Sequence, residues 1–308
     1  MRRPLAIALH TFREAVRDRV LHGVLGGGIF GLFVVLAMAE LSLDQQQRVV
    51  ADLGLALVSL LSVGVAVFLG SSLLARELER RTLYVVLPRP IARWQFLLGK
   101  YLGIVLTGFV FEAAMGAVLL AVAALQRGDA PWRWGASLLA WLGVAVALAL
   151  RVRDRVALLP PLAVLLLVGA TALAVRAGVD GSAYLAALLL CLGEVALLSA
   201  VAMFYSSFST PFTTGLLTVG TWLVGRSVDT IASFPKGALD AWLHRLLDVV
   251  AEVAPNFHLF VPGIRRLGEQ GPLGGPWAYV GTSWAYGAAY ATVLLVAAAL
   301  VFRRRDLP

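Results

Sequence analysis

The chain has 308 residues, 60% hydrophobic and only 14% charged, with a mean hydropathy of +0.84. An ordinary soluble domain is about half apolar and about a quarter charged, so this composition excludes one and requires a polytopic membrane protein, all-α in fold class. The net charge of +8 does not point to nucleic acid, because the basic residues gather in the gaps between apolar runs and leave no basic face to follow a phosphate backbone. The lone cysteine, Cys191, rules out an internal disulfide framework or a thiolate metal site.

In residues 1–20, apolar Leu5, Leu9, Phe12, Val16 and Val20 recur at three- and four-residue spacing, with Arg13 and Arg17 on the opposite side. The spacing predicts an amphipathic helix lying in the cytoplasmic headgroup region. Arg13, Glu14, Arg17, Asp18 and Arg19 interrupt any continuous apolar stretch, so no cleavable signal is expected. Runs long enough to cross ~30 Å of hydrocarbon at ~1.5 Å per residue follow. They lie at about 21–39, 53–75, 101–125, 135–150, 156–175, 183–205, 212–231 and 284–302. In the first, Gly23, Gly26, Gly27, Gly28 and Gly31 make a small-residue face suited to close helix packing.

Residues 76–100, RELERRTLYVVLPRPIARWQFLLGK, are too charged for lipid and form a loop between two spans. Pro88 and Pro90 bar a continuous helix, and the chain beyond Pro90 can restart as a short one. Arg93 and Lys100 then lie two turns apart, with Trp94, Phe96, Leu97 and Leu98 between them. Such a surface suits a soluble partner and the transmission of force. Further on, the runs 135–150 and 156–175 are split by RVRDR at 151–155 and read as two spans or a re-entrant hairpin. Either choice adds an even number of crossings.

Glu112 and Glu194 fall inside spans, where a charge costs several kcal/mol unless partnered. Each faces a translocation path, binds a cationic group or exchanges a proton, or else is a buried carboxylate hydrogen-bonded to a Ser, Thr or Tyr of a neighbouring helix. Arg226 and Asp229 read as a local pair at the lipid boundary. In the long segment 232–283, Leu239, Trp242, Leu243, Leu246, Val250 and Val253 form an apolar stripe, and Asp240, His244, Asp248 and Glu252 form the opposite face. That acidic face with its histidine is read as solvated, and no metal site is expected.

Seventeen of the 26 Lys and Arg residues lie in 1–20, 76–100, 151–155 and 303–305, whereas the short loops of the other side hold only Arg48, Arg127, Arg133 and Arg176. The asymmetry places both termini and the 76–100 loop in the cytoplasm and 232–283 outside. The chain contains no GxxxxGK[ST] loop and no HExxH, so it cannot hydrolyse ATP alone.

The run Glu77-x-Glu79-x-x-Thr82-Leu83, then LPRPIAR at 87–93 and Gly99-Lys100, resembles the cytoplasmic loop of type 2 ABC exporter permeases. It is most similar to the branch containing the permease of the nitrous-oxide reductase maturation system. The RDRVL ending of the N-terminal helix, VAMFYSSFSTP at 201–211 and the closing FRRRDL at 302–307 look like the same family, whereas Arg81 stands where a glycine is common.

The resemblance implies a six-helix exporter core plus an extra apolar hairpin, about eight transmembrane helices in all, entered through an N-terminal connecting helix. It implies that Glu77, Glu79, Arg89, Pro90, Arg93, Trp94 and Phe96 couple to an ATPase, with segment 89–99 as the coupling helix. Ser206 and Ser209 would lie in a second, shorter cytoplasmic contact, and 238–253 would be an external re-entrant or capping element. Glu112 and Glu194 become translocation-path candidates. Two such permeases, a homodimer, would pair with two copies of an ABC ATP-binding subunit in a bacterial-type inner membrane. ATP and Mg would sit in that subunit, with no cofactor bound here. A non-transporting anchor or scaffold and an intramembrane hydrolase remain as alternatives.

Overall fold

A computed structural model describes residues 2–42, 45–79, 92–127, 143, 156–232, 242, 249, 252–261, 263 and 275–304. Among them every regular element is helical. The helices are α1 (Arg2–Val16), α2 (Arg19–Glu40), α3 (Gln46–Glu79), α4 (Arg93–Arg127), α5 (Leu159–Arg176), α6 (Gly181–Ser206), α7 (Pro211–Arg226), the short α8 (Val228–Ala232) and α9 (Pro276–Arg304). A 3-10 turn at Phe257–Phe260 precedes α9. Six of these helices, α2 to α6 and α9, are long and apolar enough to cross a membrane. Of the eight expected spans, 135–150 lies outside the described residues except for residue 143. The run 212–231 is divided between α7 and α8.

The N-terminal helix ends at Val16, so that Val20 of the expected stripe falls in α2, and it has two apolar sides. Ala8, Phe12 and Ala15 are buried against the protein, while Leu5 and Leu9 face outward. Its seat is on α4. A Cβ added to Gly99 would lie 2.7 Å from Ile7 Cβ, and one added to Gly103 would lie 2.6 Å from Thr11 Cβ and 2.8 Å from the Ala8 carbonyl. Two glycines one turn apart therefore allow near backbone contact between the helices. After α1, a two-residue elbow leads to Asp18, whose carboxylate accepts from Val20 N at 3.0 Å and caps α2.

At 34 and 35 residues, α3 and α4 are each roughly 50 Å long, well beyond a ~30 Å hydrocarbon core. The expected loop 76–100 is narrower than its composition suggests, since 76–79 belong to α3 and 93–100 to α4, and the two helices meet it at the same end of the molecule. The expected span from Tyr101 begins in the same helix as Arg93, because no proline follows Pro90 to interrupt it. The restarted helix therefore continues directly into the membrane.

Pro160 and Pro161 open α5. At its other end Gly178, at φ +82°, donates to the Val175 carbonyl, and Val179 donates to that of Ala174, which closes the helix in a Schellman turn. Asp180 then caps α6, accepting from Ser182 N at 3.1 Å and Ala183 N at 3.2 Å. α5 and α4 run in the same direction: Leu159–Leu166 share a crevice with Thr107–Ala114, and Val179–Asp180 meet Ala123–Arg127.

The axis of the fold is α6, with 83% of its apolar window buried, against 17% for α2 and α9. At 16 residues, or roughly 24 Å, α7 is shorter than a ~30 Å hydrocarbon core, and α8 continues its run to Ala232. It stops at Gly225–Arg226, where the chain of Pro255–Phe257 passes directly over Gly225.

Segment 252–261 is the part that composition placed outside the membrane, yet it reaches the middle of α6. The Phe260 ring lies where a Cβ on Gly193 or Gly287 would sit, at 2.6 and 2.9 Å, and both Phe257 and Phe260 are fully buried. Irregular backbone at that depth needs partners for its polar groups. Three tyrosines on one face of α9 supply them. Tyr279 donates to the Leu259 carbonyl at 2.9 Å, Tyr286 accepts from Asn256 N at 2.9 Å, and Tyr290 donates to the Val253 carbonyl at 2.6 Å.

Candidate functional site

Two regions gather the residues singled out by sequence. The first is the end at which α3 and α4 meet the 80–92 connection. Glu77 and Glu79 lie in the last turns of α3 and Arg93 opens α4, with their side chains outside the described part. Arg89 and Pro90 lie outside it entirely. Trp94 is 55% exposed, whereas Leu97, one turn on, is buried. Phe96 is half-buried with Lys100 Nζ 5.8 Å from its ring centre. The start of α4 thus has an inward face that grips α1 and an outward face carrying Trp94.

The turn between α6 and α7 presents different residues from those expected. Ser206 is buried and donates to the Met203 carbonyl at 3.0 Å. Ser209 donates to the Tyr205 carbonyl at 2.7 Å and lies 2.7 Å from Thr214 Oγ1. Both hydroxyls are engaged in holding the turn, and Phe208 and Phe212 form its exposed surface. The FSTPF run shows why: Ser and Thr satisfy a helix end locally, and the aromatics are left to point outward. Ser206, Ser207 and Ser209 all donate to carbonyls of their own turn.

The second region is a polar knot at the middle of α6. Glu194, 1% exposed, accepts from Ser59 Oγ of α3 at 2.8 Å through Oε2, and from Trp222 Nε1 of α7 at 2.8 Å through Oε1. Arg226, the last residue of α7, donates to the same Oε1 and forms an ion pair with it. Its guanidinium also lies 5.4 Å from the centre of the Trp222 ring. One carboxylate therefore ties α3, α6 and α7 together, and it has both a cationic partner and the serine partner foreseen for a buried acid.

Arg226 does not form the local pair with Asp229 that their spacing suggested. The helix ends at Ser227 and a new one begins, which breaks the three-residue relation. Asp229 instead accepts from Asn256 Nδ2 at 3.1 Å and faces His258 Nε2 at 3.5 Å, anchoring the inserted segment.

Glu112 is buried on α4 beside Ser62 of α3, and its Oε1 makes no hydrogen bond among the described residues. Glu112 and Glu194 are thus both enclosed within one chain. Of the Asp240–His244–Asp248–Glu252 face only Glu252 is described, and no group of potential metal ligands occurs among the described residues.

The partners of Glu194 were not read from sequence. Ser59 and Trp222 are unremarkable in apolar runs, and only a search for donors at equal membrane depth would select them. The tyrosines at 279, 286 and 290 carried a usable signal, since spacings of seven and four place them on one helix face.

A comparison with curated proteins finds no match. Against protein families, residues 34–300 match the ABC-2 family transporter protein, as a family and not as its nitrous-oxide branch. That interval takes in α3 to α8 whole, with the Glu194 knot, the inserted segment and most of α9. This membrane protein of long apolar helices therefore belongs to the ABC-2 transporter family.

Proposed function

We propose that the chain is the permease subunit of an ATP-driven exporter, moving its substrate with energy from a separate ATP-binding subunit. The observation that supports this reading is that α3 and α4, each longer than a hydrocarbon core requires, run to the two sides of the 80–92 connection, with Trp94 exposed at the start of α4 and α1 clamped on Gly99 and Gly103. Helices that continue unbroken from a surface contact into the membrane can carry a displacement of that contact inward. Glu77, Glu79, Arg89, Pro90, Arg93, Trp94 and Phe96 form the proposed principal contact, and the Ser206–Ser209 turn with Phe208 and Phe212 forms the second.

Two permeases, each with one ATPase, would complete the transporter, with both termini and the coupling loop in the cytoplasm of a bacterial-type inner membrane. Export is the direction implied by the resemblance. Glu194 serves this design by fixing the short α7 and the inserted segment to the core, and Glu112 is the carboxylate left to serve a translocating group.

The test is stoichiometric copurification of an ABC ATP-binding subunit with this chain and substrate-stimulated hydrolysis in reconstituted membranes. Truncating a buried aromatic or arginine anchor costs about 2 kcal/mol, roughly thirtyfold in affinity, so Arg93→Glu and Trp94→Ala should each weaken recruitment or uncouple hydrolysis. A scaffold would bind no ATPase in stoichiometric amount. Unchanged recruitment and coupling in both variants would remove the coupling assignment.

A further inference from the structure

A crevice of about 170 Å³ lies between α2, α4 and α5, near the elbow that joins α1 to α2. Its walls are Leu25 of α2, Val110 and Phe111 of α4, and Leu162 and Leu166 of α5, with His22 at one edge. The Thr107 hydroxyl in the wall already donates to the Gly103 carbonyl at 2.8 Å, and His22 Nδ1 is 2.9 Å from the Asp18 carbonyl. Among the described lining residues, a water would find fewer than the two to four polar partners it needs. A vacancy would forfeit the dispersion contacts of every lining atom. The flanking helices α2 and α5 are among the least enclosed of the spans, and Val164 and Val168 of α5 are exposed, so the crevice borders lipid.

Charge selects among lipids. Arg17 and Arg19 are exposed in the elbow beside His22. Asp18, between the two arginines, is occupied in capping α2. Basic residues at the membrane surface favour anionic headgroups. We propose that the crevice is a binding site for one acyl chain of an anionic phospholipid whose phosphate is held at the elbow by Arg17 and Arg19. Val16, the last residue of α1, also lines the crevice, so the lipid sits beneath the helix that grips α4.

The test is native mass spectrometry of the purified full-length chain in detergent, with equimolar phosphatidylglycerol and phosphatidylcholine carrying the same oleoyl chains. One phosphatidylglycerol should be retained about thirtyfold over phosphatidylcholine, the preference expected of two surface arginines at about 1 kcal/mol each. The double variant Arg17→Gln/Arg19→Gln should keep an adduct with a ratio near one. Ala163→Phe, which fills the crevice from α5, should lose it. If that variant does not fold, Ala114→Leu fills the crevice from α4 and should have the same effect. Equal retention of the two lipids by the unaltered chain, no adduct at all, or an undiminished adduct in the folded crevice-filling variant would overturn the proposal.

Discussion

Replacing Arg226 by methionine probes how far the Glu194 knot holds the fold together. Removing one partner of a buried ion pair costs about 3–5 kcal/mol, because the remaining charge loses its compensation without regaining water. The two partners are unequal: Glu194 is 1% exposed and Arg226 27%. Arg226→Met leaves the carboxylate buried with only Ser59 and Trp222 as donors and should cost about 4 kcal/mol. Glu194→Gln leaves the less enclosed member of the pair, a cation that still lies over Trp222, so its cost should be smaller, about 2 kcal/mol. The double variant should lose less than the two singles together, with a coupling of about 1–3 kcal/mol. Equilibrium unfolding of the purified protein in mixed micelles measures all four corners of the cycle. Additive losses, or a larger loss for Glu194→Gln than for Arg226→Met, would refute the argument.

Gly103→Leu should push α1 off α4 at a cost of about 1–3 kcal/mol, seen as faster proteolysis of residues 1–20 with the remaining spans intact. Tyr286→Phe strands the Asn256 N–H at depth and should cost about 1–3 kcal/mol, whereas Thr282→Val, which removes an exposed bond to the Tyr279 carbonyl, should cost less than about 0.5 kcal/mol in the same unfolding assay. A cysteine at Gly271 in a Cys191→Ala background should react with an impermeant thiol reagent in whole cells, and labelling near Arg89 instead would invert the topology.

Much of the membrane-spanning framework could be read from sequence because a span needs only length and apolarity. The runs 21–39, 156–175 and 183–205 differ from α2, α5 and α6 by at most three residues at either end. Hydropathy fails where lipid is not the solvent. It began the last span at about 284, yet α9 begins at Pro276, because Tyr279 in its first turns bonds to an inserted backbone and not to water. It likewise ran 212–231 together, since nothing local marks Arg226 as the partner of a residue 32 positions away. Of the candidate site, the presence of a buried acid at 194 was visible and its partners were not. Partnership at depth is a property of three dimensions, whereas charge within a run is a property of one.

The Arg226–Glu194 pair also bears on how the protein is made. Each of these residues, presented alone to the bilayer centre, opposes insertion by about 2.5–3.5 kcal/mol on translocon scales for comparable charges. The helices carrying them are separated only by the turn Ser207–Thr210, so the penalty on α6 is lifted as soon as α7 leaves the ribosome. During synthesis the two would enter the bilayer as one hairpin, and a ribosome stalled before residue 226 would leave α6 with a carboxylate in lipid and a claim on quality control.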